Sequence, residues 1–286
     1  MSHREHLLSG EALGQRYALA VPQTALAGMT GSQLGRRAGT SIDFQDYREY
    51  QPGDDLRTID WNVFARTDRL TIKLFREEVN PHLDLLLDAS RSMALDNTPK
   101  SAATLRLAAL LGTAAENGHC THATWLAGDG FQRAANDTML PSAWDGLAFT
   151  SRRPLDEAFA ILPPRLRRLG IRVLISDLMW PVEPLSILRR LADGAAAVFV
   201  VQLLAQADTE PPEHGNIQLV DSETGEEREI FVDSTVAAQF REALARHREG
   251  WDAACRQTGA RFVSLVAEKL DASLPTLEEA QLIVPA

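Results

Sequence analysis

The chain contains short apolar runs, each of which is followed by polar residues. Runs of this length, rich in Leu, Ile and Val, predict strands buried on both faces of a parallel sheet. They span residues 82–88, 171–176 and 196–204. Between and after them, apolar positions recur at helical spacing in residues 101–117, 184–192 and 234–255. Strands that alternate with helices predict an α/β fold with a doubly wound, mostly parallel sheet.

Other elements have weaker patterns. We expect further strands at residues 121–127, 131–135 and 262–266, and a hairpin within residues 217–232. A helix over residues 155–169 should be broken or kinked at Pro163 and Pro164, because proline lacks the backbone donor. Residues 11–20 are weakly helical in composition, and Ser234 is the expected N-cap of the long helix.

A polar, aromatic and acidic segment precedes the first buried run. Pro52 and Gly53 mark a turn, since proline fixes φ and glycine frees it. Residues 70–77 alternate in the manner of a half-buried strand. We interpret residues 30–80 as a small β-rich module. The predicted organisation is therefore an N-terminal segment with this module over residues 1–80, and a sheet domain over residues 81–286.

Composition excludes several classes of protein. The 286 residues carry a formal net charge of −10, which is opposite to the basic surface that nucleic-acid binding requires. Two cysteines, Cys120 and Cys255, cannot form a disulfide framework. The first residues lack the apolar core of a signal peptide, and no apolar run reaches the ~20 residues needed to span a bilayer. We expect a soluble, cytoplasmic protein without membrane insertion.

The end of the first buried run has the residues of a candidate metal site. Asp88 ends this run, and Ser90 and Ser92 follow it at alternate positions. Ligands of parallel sheets bind in a crevice at the carboxyl edge, which is where these three residues are expected to lie. Carboxylate and hydroxyl oxygens suit Mg²⁺ or another hard divalent cation. A single carboxylate would leave such an ion under-neutralised, so it would still attract an acidic side chain offered by a client protein. The alternative is that Asp88 and the serines only cap the following helix.

Two motifs resemble known families. Asp88-x-Ser90-x-Ser92 after a buried strand resembles the metal-ion-dependent adhesion site of von Willebrand factor A domains. The upstream segment resembles the family called domain of unknown function 58, whose members carry it just before an A-type domain. The resemblance covers about residues 30–200, and its motif residues are Arg48, Gly53, Asp54, Arg57, Asp60, Trp61 and Arg66.

The family resemblance implies a non-catalytic partner of MoxR-type AAA+ ATPases, which acts in chaperone-like maturation or remodelling of protein complexes. A complete adhesion site adds a threonine from a second loop and an aspartate from a third. Asp177 fits the third position. Arg153 stands where the threonine is expected, and Thr150 or Ser151 would substitute after a shift of two or three residues.

Two alternatives remain open for the site. In the first, Asp88 is the nucleophile of a haloacid-dehalogenase-like, Mg²⁺-dependent phosphatase, although Ser90 stands where that motif has its second aspartate. In the second, Arg153 bridges Asp88 and Asp177, and the protein is a metal-free scaffold.

The acidic residues of the upstream segment also have a structural interpretation. We expect Asp54, Asp55 and Asp60 to pair with Arg48, Arg57 and Arg66 rather than to form a second acidic site. Trp61 is expected to anchor a core.

Overall fold

The computed structural model describes residues 2–22, 44–75, 81–211, 214–222 and 224–286. The chain divides into two compact units, which we call the sheet unit and the small unit. The sheet unit comprises Met1–Val21 and Pro81–Ala286, and the small unit comprises Pro22–Asn80. Among the described residues, no helix combines the length and the apolarity needed to cross a membrane.

The described elements follow one another along the chain as strands and helices. The strands are β1 (Tyr17–Leu19), β2 (Phe44–Glu49), β3 (Thr71–Phe75), β4 (His82–Asp88), β5 (Thr121–Gly128), β6 (Gly130–Arg133), β7 (Ile171–Ser176), β8 (Ala197–Leu204), β9 (Gly215–Val220), β10 (Glu227–Val232), β11 (Arg261–Val266) and β12 (Ile283–Pro285). The α-helices are α1 (His3–Gly14), α2 (Trp61–Thr67), α3 (Lys100–Asn117), α4 (Leu155–Ile161), α5 (Pro184–Ala192), α6 (Gln206–Thr209), α7 (Ser234–Thr258) and α8 (Leu274–Glu279). Short 3₁₀ segments lie at Leu56–Thr58, Arg91–Ala94, Pro141–Ala143 and Ala267–Ser273.

A six-stranded sheet forms the centre of the sheet unit, in the order β11-β8-β7-β4-β5-β6. All neighbouring pairs are parallel except β5 and β6, which are antiparallel. From β4 the chain first adds β5 and β6 on one side, then crosses to add β7, β8 and β11 on the other. The strand order therefore reverses between β4 and β7, and ligands of open α/β sheets bind at such a reversal.

The central strands bury side chains on both faces of the sheet. In β4, Leu83, Leu85 and Leu87 point into one core, whereas Leu86 points into the other. Helices α1, α3 and α8 cover the first face, and α4, α5 and α7 cover the second. This two-sided burial explains why the strands have uninterrupted apolar sequences, and it confirms the predicted α/β fold with a mostly parallel sheet.

The first residues of the chain belong to the sheet unit, which differs from the predicted boundary at residue 80. Helix α1 begins two residues after the start of the chain, because Ser2 and Glu5 form a reciprocal capping box. It packs on α3 through Gly10 and Gly14, where a side chain would collide with the α3 backbone. Strand β1 then pairs antiparallel with β12. The expected helix over residues 11–20 is thus wrong in its second half.

Proline and capping residues explain two further differences from the predicted elements. Helix α4 ends at Ile161 rather than Leu169, because Leu162 is extended ahead of Pro163. Helix α7 takes its N-cap from Asp233, whose side chain accepts from the Val236 N–H, and not from Ser234. The predicted hairpin is confirmed, as β9 and β10 pair antiparallel.

The described part of the small unit is built on the antiparallel pair β2 and β3. The predicted turn is present, and Gly53 has a φ of 108°. Arg48 binds Asp54 with two hydrogen bonds of 2.7 and 2.8 Å. The Arg48 guanidinium lowers the pKa of Asp54, as does the Gln51 N–H. These contacts make Asp54 part of the turn structure.

Asp60 is the N-cap of α2 and accepts from the Asn62 and Val63 N–H groups. Its other oxygen contacts the Lys73 ammonium at 3.1 Å and the Tyr47 hydroxyl at 3.1 Å. Burial acts to raise the pKa of Asp60, but the Lys73 ammonium and the backbone donors outweigh it and lower the pKa. Asp60 therefore pairs with lysine.

Two expectations for the upstream motif need correction. Asp55 forms an ion pair with Arg57 at 3.1 Å, as expected. Arg66, in contrast, is exposed, and Asp60 forms its ion pair with Lys73 instead. Trp61 is 60% exposed and contacts Phe64 edge-on, so it does not anchor a core.

Candidate functional site

The tips of β4 and β7 meet through a direct hydrogen bond. Ser176 Oγ donates to Asp88 Oδ2 at 2.7 Å, and the Ser90 N–H donates to Asp88 Oδ1 at 2.8 Å. Both side chains are buried, as is the neighbouring Asp177. Parallel strands end at the same edge of the sheet, so adjacent tips converge. We call the group Asp88, Ser90, Ser92, Ser176 and Asp177 the Asp88 crevice.

Two hydroxyl groups in the crevice have the spacing of metal ligands. Ser90 Oγ and Ser92 Oγ lie 2.9 Å apart. Neighbouring oxygens around an octahedral Mg²⁺ lie at a similar separation of about 3.0 Å, given metal–oxygen distances of about 2.1 Å. The pair therefore fits one edge of such a coordination sphere. Within the part of the chain that is described, no three or more His, Cys, Asp or Glu side chains cluster as metal ligands, so a cation here would need these hydroxyls.

The second loop lies directly beside the first. The Ser151 N–H donates to the Ala89 carbonyl at 2.9 Å, and the Arg91 N–H donates to the Ser151 carbonyl at 2.9 Å. These bonds bring the backbone of Ser151 next to that of Ser90. Ser151 Oγ accepts from the Arg153 N–H, whereas the Thr150 side chain is exposed. Of the two predicted substitutes for threonine, Ser151 is the one whose backbone pairs with the Ser90 loop.

Arg153 does not bridge the two aspartates. Its guanidinium binds Asp129 at 2.7 Å and Glu157 at 3.1 Å, and all three side chains are solvent-exposed. The i, i+4 spacing of Arg153 and Glu157 across the start of α4 draws the side chain away from the strand tips. The predicted metal-free scaffold, in which Arg153 joins Asp88 to Asp177, is therefore not the arrangement of this structure.

The cation beside the crevice is Lys100. Its Nζ lies 3.1 Å from Asp177 Oδ2 and 2.9 Å from Asp208 Oδ2, and Lys100 is 1% exposed. Burial acts to lower the pKa of Lys100, but the charges of Asp177 and Asp208 outweigh it and raise the pKa. The side chain is thus an ammonium ion shared by two carboxylates. Sequence reasoning missed both Lys100 and Asp208.

Among the described residues, no cationic side chain contacts Asp88 in the way that Lys100 contacts Asp177. Burial, followed by the charge of nearby Asp177, raises the pKa of Asp88 to about 7. The hydrogen bonds from Ser176 and Ser90 act in the opposite direction and are weaker. Asp88 is therefore a carboxyl group whose ionised form is disfavoured, and a cation placed at the crevice would stabilise that form.

A row of polar side chains extends from the crevice across the sheet. Gln202 of β8 lies between Ser176 and Ser264 in the register, and its amide donates to the Asp177 carbonyl at 3.2 Å. Arg248 of α7 binds both Gln202 and Ser264. This row supports the Asp177 loop from behind. The sequence feature that indicates this row is Gln202, a polar residue inside an apolar run.

Two cavities lie beside the crevice. An apolar groove of about 940 Å³ is lined by Met179, Asp208, Leu219, Phe240 and Leu244, among others. On the other side, a polar cleft of about 720 Å³ includes Ala89, Thr150 and Ser151 in its lining. The carboxyl edge of the sheet thus offers a surface that is larger than the crevice itself.

The upstream segment and the sheet unit match one family together. Residues 46–250 match the family described as "Protein of unknown function DUF58". This chain belongs to that family. Its membership confirms the resemblance that was drawn from the upstream motif and the strand that follows it.

Three mycobacterial proteins are similar to the chain. The chain is 29% identical over 267 residues to the uncharacterized protein Rv1480 of Mycobacterium tuberculosis, covering 88% of this chain and 83% of that protein. The same values hold for the uncharacterized protein Mb1516 of Mycobacterium bovis. The uncharacterized protein MAV169 of Mycobacterium avium is 32% identical over 103 residues, covering 36% of this chain and 60% of that protein.

Two solved structures are similar to the chain. The conserved hypothetical protein BatB from Bacteroides thetaiotaomicron has a TM-score of 0.36 and 12% identity, covering 70% of this chain and 98% of that one. An aerotolerance-related membrane protein from Bacteroides fragilis has a TM-score of 0.38 and 11% identity, covering 71% and 98%.

Proposed function

We propose that this protein is a non-catalytic, protein-binding partner of a MoxR-type AAA+ ATPase. It captures an acidic side chain of its partner at the Asp88 crevice, in chaperone-like maturation or remodelling of a protein complex. The observation that carries the proposal is the Ser176–Asp88 hydrogen bond at the strand reversal. This bond brings oxygen-bearing side chains from the ends of β4 and β7 together at one place on the carboxyl edge of the sheet.

A divalent cation is part of the proposal. Asp88, Ser90 and Ser92 would hold it, and Ser151 is the candidate for a further oxygen from the second loop. When bound, the cation supplies a Lewis-acidic position that an incoming carboxylate can complete. The Asp88 carboxylate holds part of the countercharge, the serine hydroxyls supply neutral oxygens, and the buried strand tips fix their positions.

The chemistry of the site favours binding over catalysis. Asp88 is 2% exposed, and both of its oxygens accept hydrogen bonds, from Ser176 and from Ser90. A nucleophile must present an oxygen to the substrate, and the usual second aspartate that would act as general acid is replaced by Ser90. We therefore expect no release of phosphate from phosphate monoesters by the purified protein.

The test is direct binding to a purified MoxR-type ATPase from the same organism, measured by biolayer interferometry with Mg²⁺ present. The isosteric double variant Asp88→Asn, Asp177→Asn should lose at least about tenfold in affinity, because the crevice loses both carboxylates. A matched control, Asp145→Asn with Asp156→Asn, changes two exposed aspartates of the same unit and should bind as wild type does.

Circular dichroism should show both double variants folded. Wild-type affinity in the crevice variant would refute the proposed surface. Phosphatase activity that is lost in Asp88→Asn would instead favour the haloacid-dehalogenase-like alternative.

A further inference from the structure

Lys100 forms an ion pair with one of the predicted metal ligands, and this ion pair affects how the site binds a cation. Among the four predicted metal ligands, Asp177 is the one already bound to a cation. Its Oδ2 contacts the Lys100 ammonium, and its Oδ1 accepts from the Met179 N–H at 3.1 Å. The hydroxyls of Ser90 and Ser92, in contrast, bond to each other.

Lys100 is held in this position by the fold. It is the first residue of α3, its side chain is buried, and the neighbouring elements close around it. Asp177 follows β7, and Asp208 lies on α6 after β8, so one ammonium joins loops from two strand tips. A buried lysine cannot leave two carboxylates without a large loss of stability. Its charge is therefore a permanent part of the site.

We propose that Lys100 is the residue that sets the affinity of the Asp88 crevice for divalent cations, by holding Asp177 with a tethered positive charge. The inference rests on the proposed cation at the crevice. A fixed ammonium opposes an incoming divalent ion in two ways, since it repels the ion and it occupies the carboxylate that would otherwise neutralise the ion. In the dry surroundings of the strand tips such charge interactions are strong.

The consequence is a crevice that binds its cation weakly when no partner is present. The carboxylate of the partner then contributes the missing negative charge, so the cation and the partner bind cooperatively. Lys100 is thereby a positioning residue, because it acts on the cation through Asp177.

The experiment is calorimetric titration of the chelator-treated full chain with MgCl₂ and with MnCl₂. The variant Lys100→Met removes the charge and keeps an unbranched side chain. It should bind Mg²⁺ at least about tenfold more tightly than wild type. Thermal unfolding provides a second measurement, and Mg²⁺ should raise the Tm of Lys100→Met by more than that of wild type.

Two further variants separate this role from a purely structural one. In Asp208→Asn, Asp177 is the carboxylate that still pairs with Lys100, and the site has one negative charge fewer. Mg²⁺ binding should therefore weaken several-fold. In the Lys100→Met background, Asp177→Asn should abolish the gain, which a double-mutant cycle measures as coupling between the two residues. A purely structural lysine predicts lower stability for Lys100→Met and no gain in Mg²⁺ affinity.

Equal or weaker Mg²⁺ binding by Lys100→Met would overturn the inference, as would the absence of heat in every variant. Where Lys100→Met does not fold, the Asp208→Asn titration decides, and unchanged affinity there is the refuting result. The ATPase-binding assay is independent of these titrations. Loss of ATPase binding in the crevice variant, together with equal or weaker Mg²⁺ binding by Lys100→Met, would refute only the role of Lys100. Absence of heat in every variant would also remove the cation from the proposed function.

Discussion

Strand β4 carries two buried aspartates, one near each end, and their surroundings differ. Asp84 lies toward the amino edge of the sheet and is completely buried. Its Oδ1 accepts from Trp125 Nε1 at 3.2 Å and lies 3.3 Å from His82 Nε2. Its Oδ2 accepts from the Arg167 N–H at 3.0 Å. Burial lowers the pKa of the nearby Arg172, and the charge of Asp84 acts against that shift.

Asp88 lies at the carboxyl edge, four residues further along the same strand. Its donors are a serine hydroxyl and a backbone N–H, and the charged group nearby is another carboxylate, Asp177. The amino edge therefore surrounds its aspartate with donors and a guanidinium, whereas the carboxyl edge leaves Asp88 short of positive charge. Such incomplete compensation in a buried group marks a position where a ligand is expected.

The largest expected effect is on stability. Asp84→Asn would place an amide against the donors from Trp125 and Arg167, and should lower the free energy of unfolding by about 2–4 kcal/mol. Asp88→Asn keeps the acceptor for the Ser90 N–H and removes a like charge, so the change should stay below about 1 kcal/mol at pH 7. Urea unfolding of both variants tests the contrast. Equal losses would show that the two edges do not differ.

The next effect is on pH dependence. The pKa of Asp88 is raised to about 7 in the folded protein from 3.8, so the folded state binds a proton that the unfolded state has released. Stability from this group is therefore present at low pH and is lost as pH rises toward 7, with a slope of at most about 1.4 kcal/mol per unit.

Urea unfolding between pH 4.5 and 8 should show this loss as the difference between wild type and Asp88→Asn. At low pH wild type gains stability relative to the variant. A difference that does not vary with pH would contradict the comparison, because Asp88 would then have an ordinary pKa.

The smallest expected effect is that of Mg²⁺ on stability. At a concentration a few times its dissociation constant, the ion should raise the free energy of unfolding by about 1 kcal/mol. The increase should persist in Asp84→Asn and vanish in Asp88→Asn, at constant ionic strength. An increase that survives Asp88→Asn would place the cation elsewhere.

The sheet could be predicted because its strands are buried on both faces. Continuous apolar sequence is the direct result, and β4, β7 and β8 were each placed within about one residue. The parallel arrangement of the strands predicts that Asp88 lies close to the residues that follow β7. Ser176 is not among the predicted site residues, although its hydroxyl makes the bond between the strand tips.

The contacts that escaped prediction are those whose partners lie far apart in sequence. Lys100 follows Pro99 at the start of a helix, which suggests a solvated side chain, and nothing nearby indicates Asp177 or Asp208 as partners. One signal was available. A cation at a helix N-terminus opposes the helix dipole, so a lysine there calls for a compensating acid.

Arg153 shows the opposite error. Its position in the family pattern suggested that it enters the site, but its local partners Asp129 and Glu157 determine where the side chain lies. Alignment with a motif fixes the backbone position of a residue, whereas the direction of a long side chain depends on its nearest charges.

The pairing of β1 with β12 has a consequence for how the protein is made. These strands come from opposite ends of the described chain, and the residues of the small unit follow β1 and precede β4 in the sequence. During synthesis, β1 emerges early but must wait for β12, its partner in a two-stranded sheet. The β1–β12 pair therefore forms late, and until β12 is made the described chain offers no strand partner to the backbone of β1.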